Sequence, residues 1–261
     1  MKPVFRHTNL TRFDLDFEHH KAVRAELEFA LHGDQLDEWE TNGAAACLER
    51  LQADYAPAFT FHGPVFGFDP ASKDHAVRKL AFRRVKRAFE FAARFKPQVM
   101  VFHSSFDLYT YGYGKKEWLP NTVDFWKRAL EDLPDGPRVV LENIYEIEPW
   151  LLAEAIRSVG HPRFRACFDA GHYNLFHRPD LDMGQWLLAF DGLLGHVHLH
   201  DNHGTMDEHL PPGRGLIDFS PLIDYLKTAP EPVTITVEGK NPDDNDAAVA
   251  WAKAHIPGCG E

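Results

Sequence analysis

The chain has 261 residues and is 44% hydrophobic, enough for one large core, while its net charge of −11 argues against a long nucleic-acid footprint. Nowhere do about 18 consecutive apolar residues occur to span a bilayer, and the N-terminal MKPVFRHTNLTRFD lacks the apolar centre of a signal peptide, so a cytoplasmic protein without membrane contact is expected. Cys47, Cys167 and Cys259 follow no metal-motif spacing and leave one thiol over under any pairing, which suits a reducing compartment.

No Ser-rich linker, low-complexity tract or internal repeat divides the chain, so a single domain over residues 1–261 is expected. A first apolar run, PVFRH, lies near residue 5, and residues 7–26 after it offer only a poor helix. LEFAL at 27–31 and AFTFH at 58–62 follow as strands. Residues 74–95, DHAVRKLAFRRVKRAFEFAARF, have apolar positions at helical spacing, and their basic residues form a solvated helix face. Next come the strand QVMVFH at 98–103, the Gly- and Tyr-rich SSFDLYTYGYGKKEW at 104–118, and the helical NTVDFWKRALEDL. The strands RVVLEN at 138–143, FRACFD at 164–169, GHVHLH at 195–200 and VTITVEG at 233–239 complete the set. Strands alternating with helices imply parallel pairing through right-handed crossovers, and eight such units in about 250 residues is the size of a (β/α)8 barrel, an α/β fold. Counting does not establish closure, so a doubly wound open sheet is the competing architecture.

In a barrel, chemistry sits at the C-terminal ends of the strands. Polar residues occupy those ends: His62, His103, Glu142, Asp169, His198 with His200, and Glu238. Strand alternation places Glu142 on the face of Val140, Asp169 on that of Cys167, and Glu238 on that of Thr236, so all can point inward. Carboxylates and imidazoles converging on one mouth would be costly to bury unless cations held them. His172, three residues after Asp169, can fold back over the mouth, and Asp207 and His209 project from one side of an extended segment. Neutral imidazole and carboxylate are ligands for Zn2+ or Mn2+. In HVHLHDNHGTMDEHLPPGRG, residues 196–215, alternation puts His196, His198 and His200 on one face and does not choose among them.

The ordered motifs FHGP, FHSS, LEN, FDAGH, HLHDN, DEH and VEG, over roughly residues 57–240, resemble the xylose-isomerase-like barrel superfamily, which contains the endonuclease IV family and sugar-phosphate isomerases and epimerases. The resemblance to endonuclease IV implies three zinc ions. His62 and His103 would bind the first, and Glu142 would bridge it to the second. Asp169, His198 and Glu238 would complete the second, and His172, Asp207 and His209 would hold the third. His200 and Asp201 then become supporting or substrate groups.

Two functions follow from the resemblance. The first, which the nine-residue match favours, is hydrolysis of a phosphate ester by a metal-bound hydroxide, with Arg214 and Lys240 meeting substrate charge. The second is isomerisation or epimerisation of a sugar or sugar phosphate at a single metal held by Glu142, Asp169, His198 and Glu238, with Glu142 and Glu238 as the catalytic proton carriers. A small phosphorylated or sugar substrate is expected rather than duplex DNA. Gly213, Arg214 and Gly215 stand where endonuclease IV has Gly-Glu-Gly, and Tyr109, Tyr111 or Tyr113 would roof a small pocket.

Overall fold

A computed structural model describes residues 2–259. Eight strands close into one barrel in sequence order: β1 (Val4–Asn9), β2 (Glu26–Ala30), β3 (Phe59–His62), β4 (Val99–His103), β5 (Arg138–Glu142), β6 (Phe164–Asp169), β7 (Leu194–Leu199) and β8 (Thr234–Val237). Every neighbouring pair is parallel, and β8 returns to β1, so the open-sheet alternative is excluded.

The first crossover is a true helix, α1 (Leu10–Ala22), where the sequence pattern offers only a poor one. Its apolar stripe is short, Phe13 and Phe17 with His20 beneath them, but Asn9 caps it firmly by accepting from Thr11 N and Arg12 N. The chain continues through α2 (Gly33–Asp37), α3 (Ala44–Asp54), α4 (His75–Phe95), α5 (Leu108–Tyr111), α6 (Trp118–Ala129), α7 (Trp150–Val159), α8 (Ala170–Phe176), α9 (Met183–Ala189), α10 (Ser220–Thr228) and α11 (Pro242–His255). On α4, the Asp74 carboxylate caps Ala76 N. The basic face of α4 pairs with its neighbours: Arg83 and Arg84 with Asp37, Arg87 with Glu40, Arg94 with Glu49, and Lys86 with Asp132. Those cations are thereby engaged within the fold. Among the described residues no helix is long and apolar enough to cross a membrane.

Alternation sorts each strand as the sequence predicts. Val139 and Leu141, Ala166 and Phe168, and Ile235 and Val237 pack in the large core between barrel and helices. Val99, Val101, Val140 and Cys167 form a separate apolar cluster inside the barrel. The opposite side of the interior is polar and wholly buried: Glu28, Thr60, His196 and Thr236. This asymmetry lets the inward side chains of β2, β3, β7 and β8 form a polar floor under the mouth.

Candidate metal centre at the barrel mouth

The nine ligand-type residues come together in three adjoining groups. At the ends of β3, β4 and β5, His62 Nε2 and His103 Nε2 each lie 3.4 Å from Glu142 Oε2. In the centre, His198 Nδ1 lies 3.3 Å from Glu142 Oε1, 3.3 Å from Glu238 Oε1 and 3.7 Å from Asp169 Oδ2. On the rim, Asp207 Oδ2 lies 2.9 Å from His209 Nε2 and 3.5 Å from His172 Nε2. Glu142 contacts both of the first two groups.

Local structure explains how residues distant in sequence converge. Asp169 ends β6 and caps α8, accepting from His172 N at 2.6 Å, which fixes His172 in the first helical turn over the mouth. Asn143 ties the ends of β5 and β6: its carbonyl oxygen Oδ1 accepts from Asp169 N and its amide donates to Asp169 O. The segment after β7 is organised by Asp201, whose buried carboxylate accepts four backbone N–H groups, from Asn202, Gly213, Gly215 and Ile217. Asp201 and Leu210 exchange backbone hydrogen bonds as an antiparallel bridge, so residues 202–209 form a closed loop delivering Asp207 and His209 to the rim. A Cβ on Gly215 would stand 2.3 Å from Asp201 Oδ1, so only glycine lets the chain pass this carboxylate. His209 itself has φ +51°, a left-handed conformation unusual for a non-glycine residue and of the kind that concentrates at functional sites.

Three histidines are oriented alike. Nδ1 of His62, His172 and His209 donates to the backbone carbonyls of Gly63, Asn143 and Glu238 at 2.8, 3.0 and 2.9 Å, leaving Nε2 facing the mouth. A backbone acceptor on one ring nitrogen is the usual support for a metal-binding imidazole. Burial pushes the His103 imidazole down to about 4, so it is neutral at physiological pH. Burial works against ionisation of Glu142, but the charge of His198 and the hydrogen bonds from His172 and His198 outweigh it and hold its carboxyl well below the usual range. Likewise burial opposes charge on His198, yet the carboxylates of Glu238, Glu142 and Glu28 keep its imidazole well above the ordinary value.

Glu142 Oε2 and His198 Nδ1 are buried without a hydrogen-bond partner, although each lies within 3.5 Å of oppositely charged groups. Buried polar atoms left in this state, in a set of imidazoles and carboxylates, fit a divalent cation. These buried His and Glu clusters can hold metal.

A pocket of about 540 Å3 opens above them, lined by His62, His103, Glu142, His172, Asp207, His209 and Glu238 together with apolar side chains such as Phe66, Ile144, Phe176 and Met206. Among the described residues no lysine or arginine lines it. The substrate-binding candidates lie elsewhere. Arg214 is exposed and reaches Asp244 at 3.4 Å. Lys240 borders a smaller side cavity that shares His7, His209 and Glu238 with the main pocket, and its carbonyl accepts from Arg12. Tyr111 turns inward to donate to Asp69 at 2.6 Å, while Tyr109 and Tyr113 are exposed to solvent, so the aromatic loop does not roof the pocket. Stacking of its ring on Phe106 and the Asp69 acceptor explain the inward turn. His200 sits below the lining, 3.1 Å from Asp169 Oδ2 and stacked on His209. His196 is part of the floor, bonded to Thr234 and Thr236, and His203 is exposed beside Glu208.

Two residues were missed by the strand-end rule. His7 lies near the end of β1, as the last residue of PVFRH, and lines the pocket. Glu28 lies mid-strand on β2, where a charged residue inside LEFAL at an inward position was the available signal.

The family model for the xylose isomerase-like TIM barrel matches residues 25–256. The uncharacterized protein MJ1311 of Methanocaldococcus jannaschii is 29% identical over 201 residues, covering 74% of this chain and 68% of that one. The TTHB071 protein from Thermus thermophilus, its crystal soaked with ZnCl2, is 26% identical with a TM-score of 0.76 and 96% of each chain covered. A D-tagatose 3-epimerase-like protein shares the fold at 24% identity and a TM-score of 0.77, covering 98% of this chain and 97% of its own. Barrel, strand-end site and family match agree: the chain belongs to the xylose isomerase-like TIM barrel family.

Proposed function

We propose that this protein is a metal-dependent isomerase or epimerase of a small, uncharged sugar. The observation that carries this reading is the pocket lining: Glu142 and Glu238 of the central quartet, with Asp169 and His198 buried behind them, open into a cavity that has apolar side chains on its wall and no lysine or arginine. Ligand count alone favours phosphoester hydrolysis, but a phosphorylated substrate calls for cationic side chains, and Arg214 and Lys240 do not line this pocket. The name of the D-tagatose 3-epimerase-like structure points the same way.

Zn2+ or Mn2+ held by the quartet would supply Lewis-acid polarisation of a substrate carbonyl and its neighbouring hydroxyl. Glu142 and Glu238 both face the pocket, each 3.3 Å from His198 Nδ1, and act as the proton carriers. One carboxylate, ionised, takes the proton from the carbon beside the carbonyl; the other, entering the cycle protonated, delivers its proton to the opposite face for epimerisation, or to the carbonyl carbon for isomerisation as the neighbouring hydroxyl proton moves to the carbonyl oxygen, and the two carboxylates exchange protonation states. The apolar wall of Phe66, Ile144, Phe176 and Met206 limits water around the carbon acid. Asp169 is held by His172 N and His200, which restrains it from serving as a third base.

A second reading, phosphoester hydrolysis at two or three zinc ions, is favoured by the five ligand-type residues the quartet leaves over: His62, His103, His172, Asp207 and His209. Ions there would supply positive charge that the lining lacks. Incubating the Mn2+- or Zn2+-supplemented protein with a panel of ketohexoses in D2O separates the readings. Deuterium entering the substrate carbon, abolished in Glu142→Gln and Glu238→Gln, supports the sugar reading. Hydrolysis of p-nitrophenyl phosphate esters with no deuterium in any sugar overturns it in favour of the second.

A further inference from the structure

His198 differs from the other oriented histidines. It presents Nδ1 to the carboxylates of the mouth, and its Nε2 points down into the barrel toward the inward side chain of β2. The acidic group it meets there is Glu28 of β2, whose Oε1 lies 3.2 Å from His198 Nε2. Glu28 is fully buried, and its other oxygen accepts from Thr60 Oγ1 at 2.9 Å and Thr236 Oγ1 at 3.0 Å, hydroxyls on β3 and β8. Neither Glu28 Oε1 nor His198 Nε2 has a hydrogen-bond partner of full geometry; the two face each other at 3.2 Å, and the next imidazole, His7, stands farther from Oε1 at 3.5 Å. A buried carboxylate held by two hydroxyls thus turns its second oxygen to His198.

Resting on the quartet reading above, we propose that Glu28 is a positioning residue that makes His198 an Nδ1 ligand. It holds the imidazole proton on Nε2, so the Nδ1 lone pair is directed at Glu142, Asp169 and Glu238. Thr60 and Thr236 fix the carboxylate in turn. A different placement of the proton would put an N–H at the centre of the quartet, where three carboxylates need a cation and His198 would compete with it.

The test measures Co2+ affinity by chelator competition in wild type, Glu28→Gln, Glu28→Leu, Thr60→Val and His198→Ala, with the melting temperature of each metal-free protein and the ring 15N shifts of the Zn2+-loaded histidines. Glu28→Leu is expected to lose about 10- to 100-fold in affinity, Glu28→Gln less because its amide oxygen still accepts from Nε2–H, and Thr60→Val less again. The Nε2–H signal of His198 is expected in wild type and Glu28→Gln and lost in Glu28→Leu. Should His198→Ala weaken Co2+ binding while Glu28→Leu retains wild-type affinity and the same His198 tautomer, Glu28 has no positioning role and the quartet stands. Should His198→Ala itself leave Co2+ affinity unchanged, the quartet reading fails, and the Glu28 proposal with it. A metal-free melting temperature that falls in Glu28→Leu with affinity intact assigns Glu28 a purely structural role and overturns the proposal.

Discussion

Replacing Asp201 by asparagine should detach the loop that carries Asp207 and His209 without unfolding the barrel. In the native chain each carboxylate oxygen accepts two backbone N–H groups: Oδ1 from Asn202 and Ile217, Oδ2 from Gly213 and Gly215, all between 2.9 and 3.1 Å. Asparagine keeps one oxygen and points an NH2 group at two of those donors, so two charge-assisted bonds are lost whichever way the amide turns. At about 1.5–3 kcal/mol each, the loss is about 3–6 kcal/mol. Set against a total stability of about 5–15 kcal/mol for a typical domain, this is enough to open a loop held at few points while the closed barrel persists. Hydrogen exchange read by NMR should show the amides of Gly213, Gly215 and Ile217 losing about two to four orders of magnitude of protection, with the strand amides of β4 to β6 unchanged. Wild-type protection in residues 201–217 of the Asp201→Asn protein would refute the assignment of this carboxylate as the loop's anchor.

Further outcomes follow from other contacts. A Cβ at Gly171 would stand 2.0 Å from His200 Cε1, so Gly171→Ala should displace His200 from Asp169 and lower stability by about 1–3 kcal/mol in thermal denaturation; an unchanged melting temperature contradicts this packing. Burial pushes the imidazole of His20, whose ring nitrogens have no hydrogen-bond partner, down to about 4. Because the unfolded chain takes up that proton near 6.5 and the folded chain does not until about 4, His20 lowers stability as pH falls through this window, and His20→Leu should flatten that part of the pH–stability curve. Arg214→Ala and Lys240→Ala should leave KM for an active sugar within about twofold, since neither side chain lines the pocket; a rise of about tenfold or more in steady-state assays would place a cation in substrate recognition.

Much of this architecture was legible in sequence because period-2 strands and strand-end polar residues carry position and direction together. The inward parity of Glu142, Asp169 and Glu238 follows from alternation alone, and the strand pairing sets His103 beside Glu142 and Asp169 beside His198. The helix Leu10–Ala22 was hidden because few of its positions are apolar, and capping by Asn9 and packing of Phe13 and Phe17 compensate. Arg214, Lys240 and Tyr111 follow no such rule. The directions of Arg214 and Tyr111 are set by tertiary partners, Asp244 and Asp69, that no local pattern announces. Glu28 escaped for the opposite reason: it sits one layer below the strand ends, within an apolar strand, and acquires meaning only when barrel closure brings it against His198. The shift of preference from hydrolysis to sugar chemistry has the same origin, since the charge of a pocket lining is a property of the closed barrel.

A metal ion is expected where Glu142, Asp169, His198 and Glu238 meet. Anomalous diffraction at the zinc or manganese edge from crystals soaked in the corresponding chloride tests it directly. A peak about 2.0–2.2 Å from His198 Nδ1 and from a carboxylate oxygen of each partner is expected. Density confined to surface histidines such as His203, with none within bonding distance of His198, would contradict it.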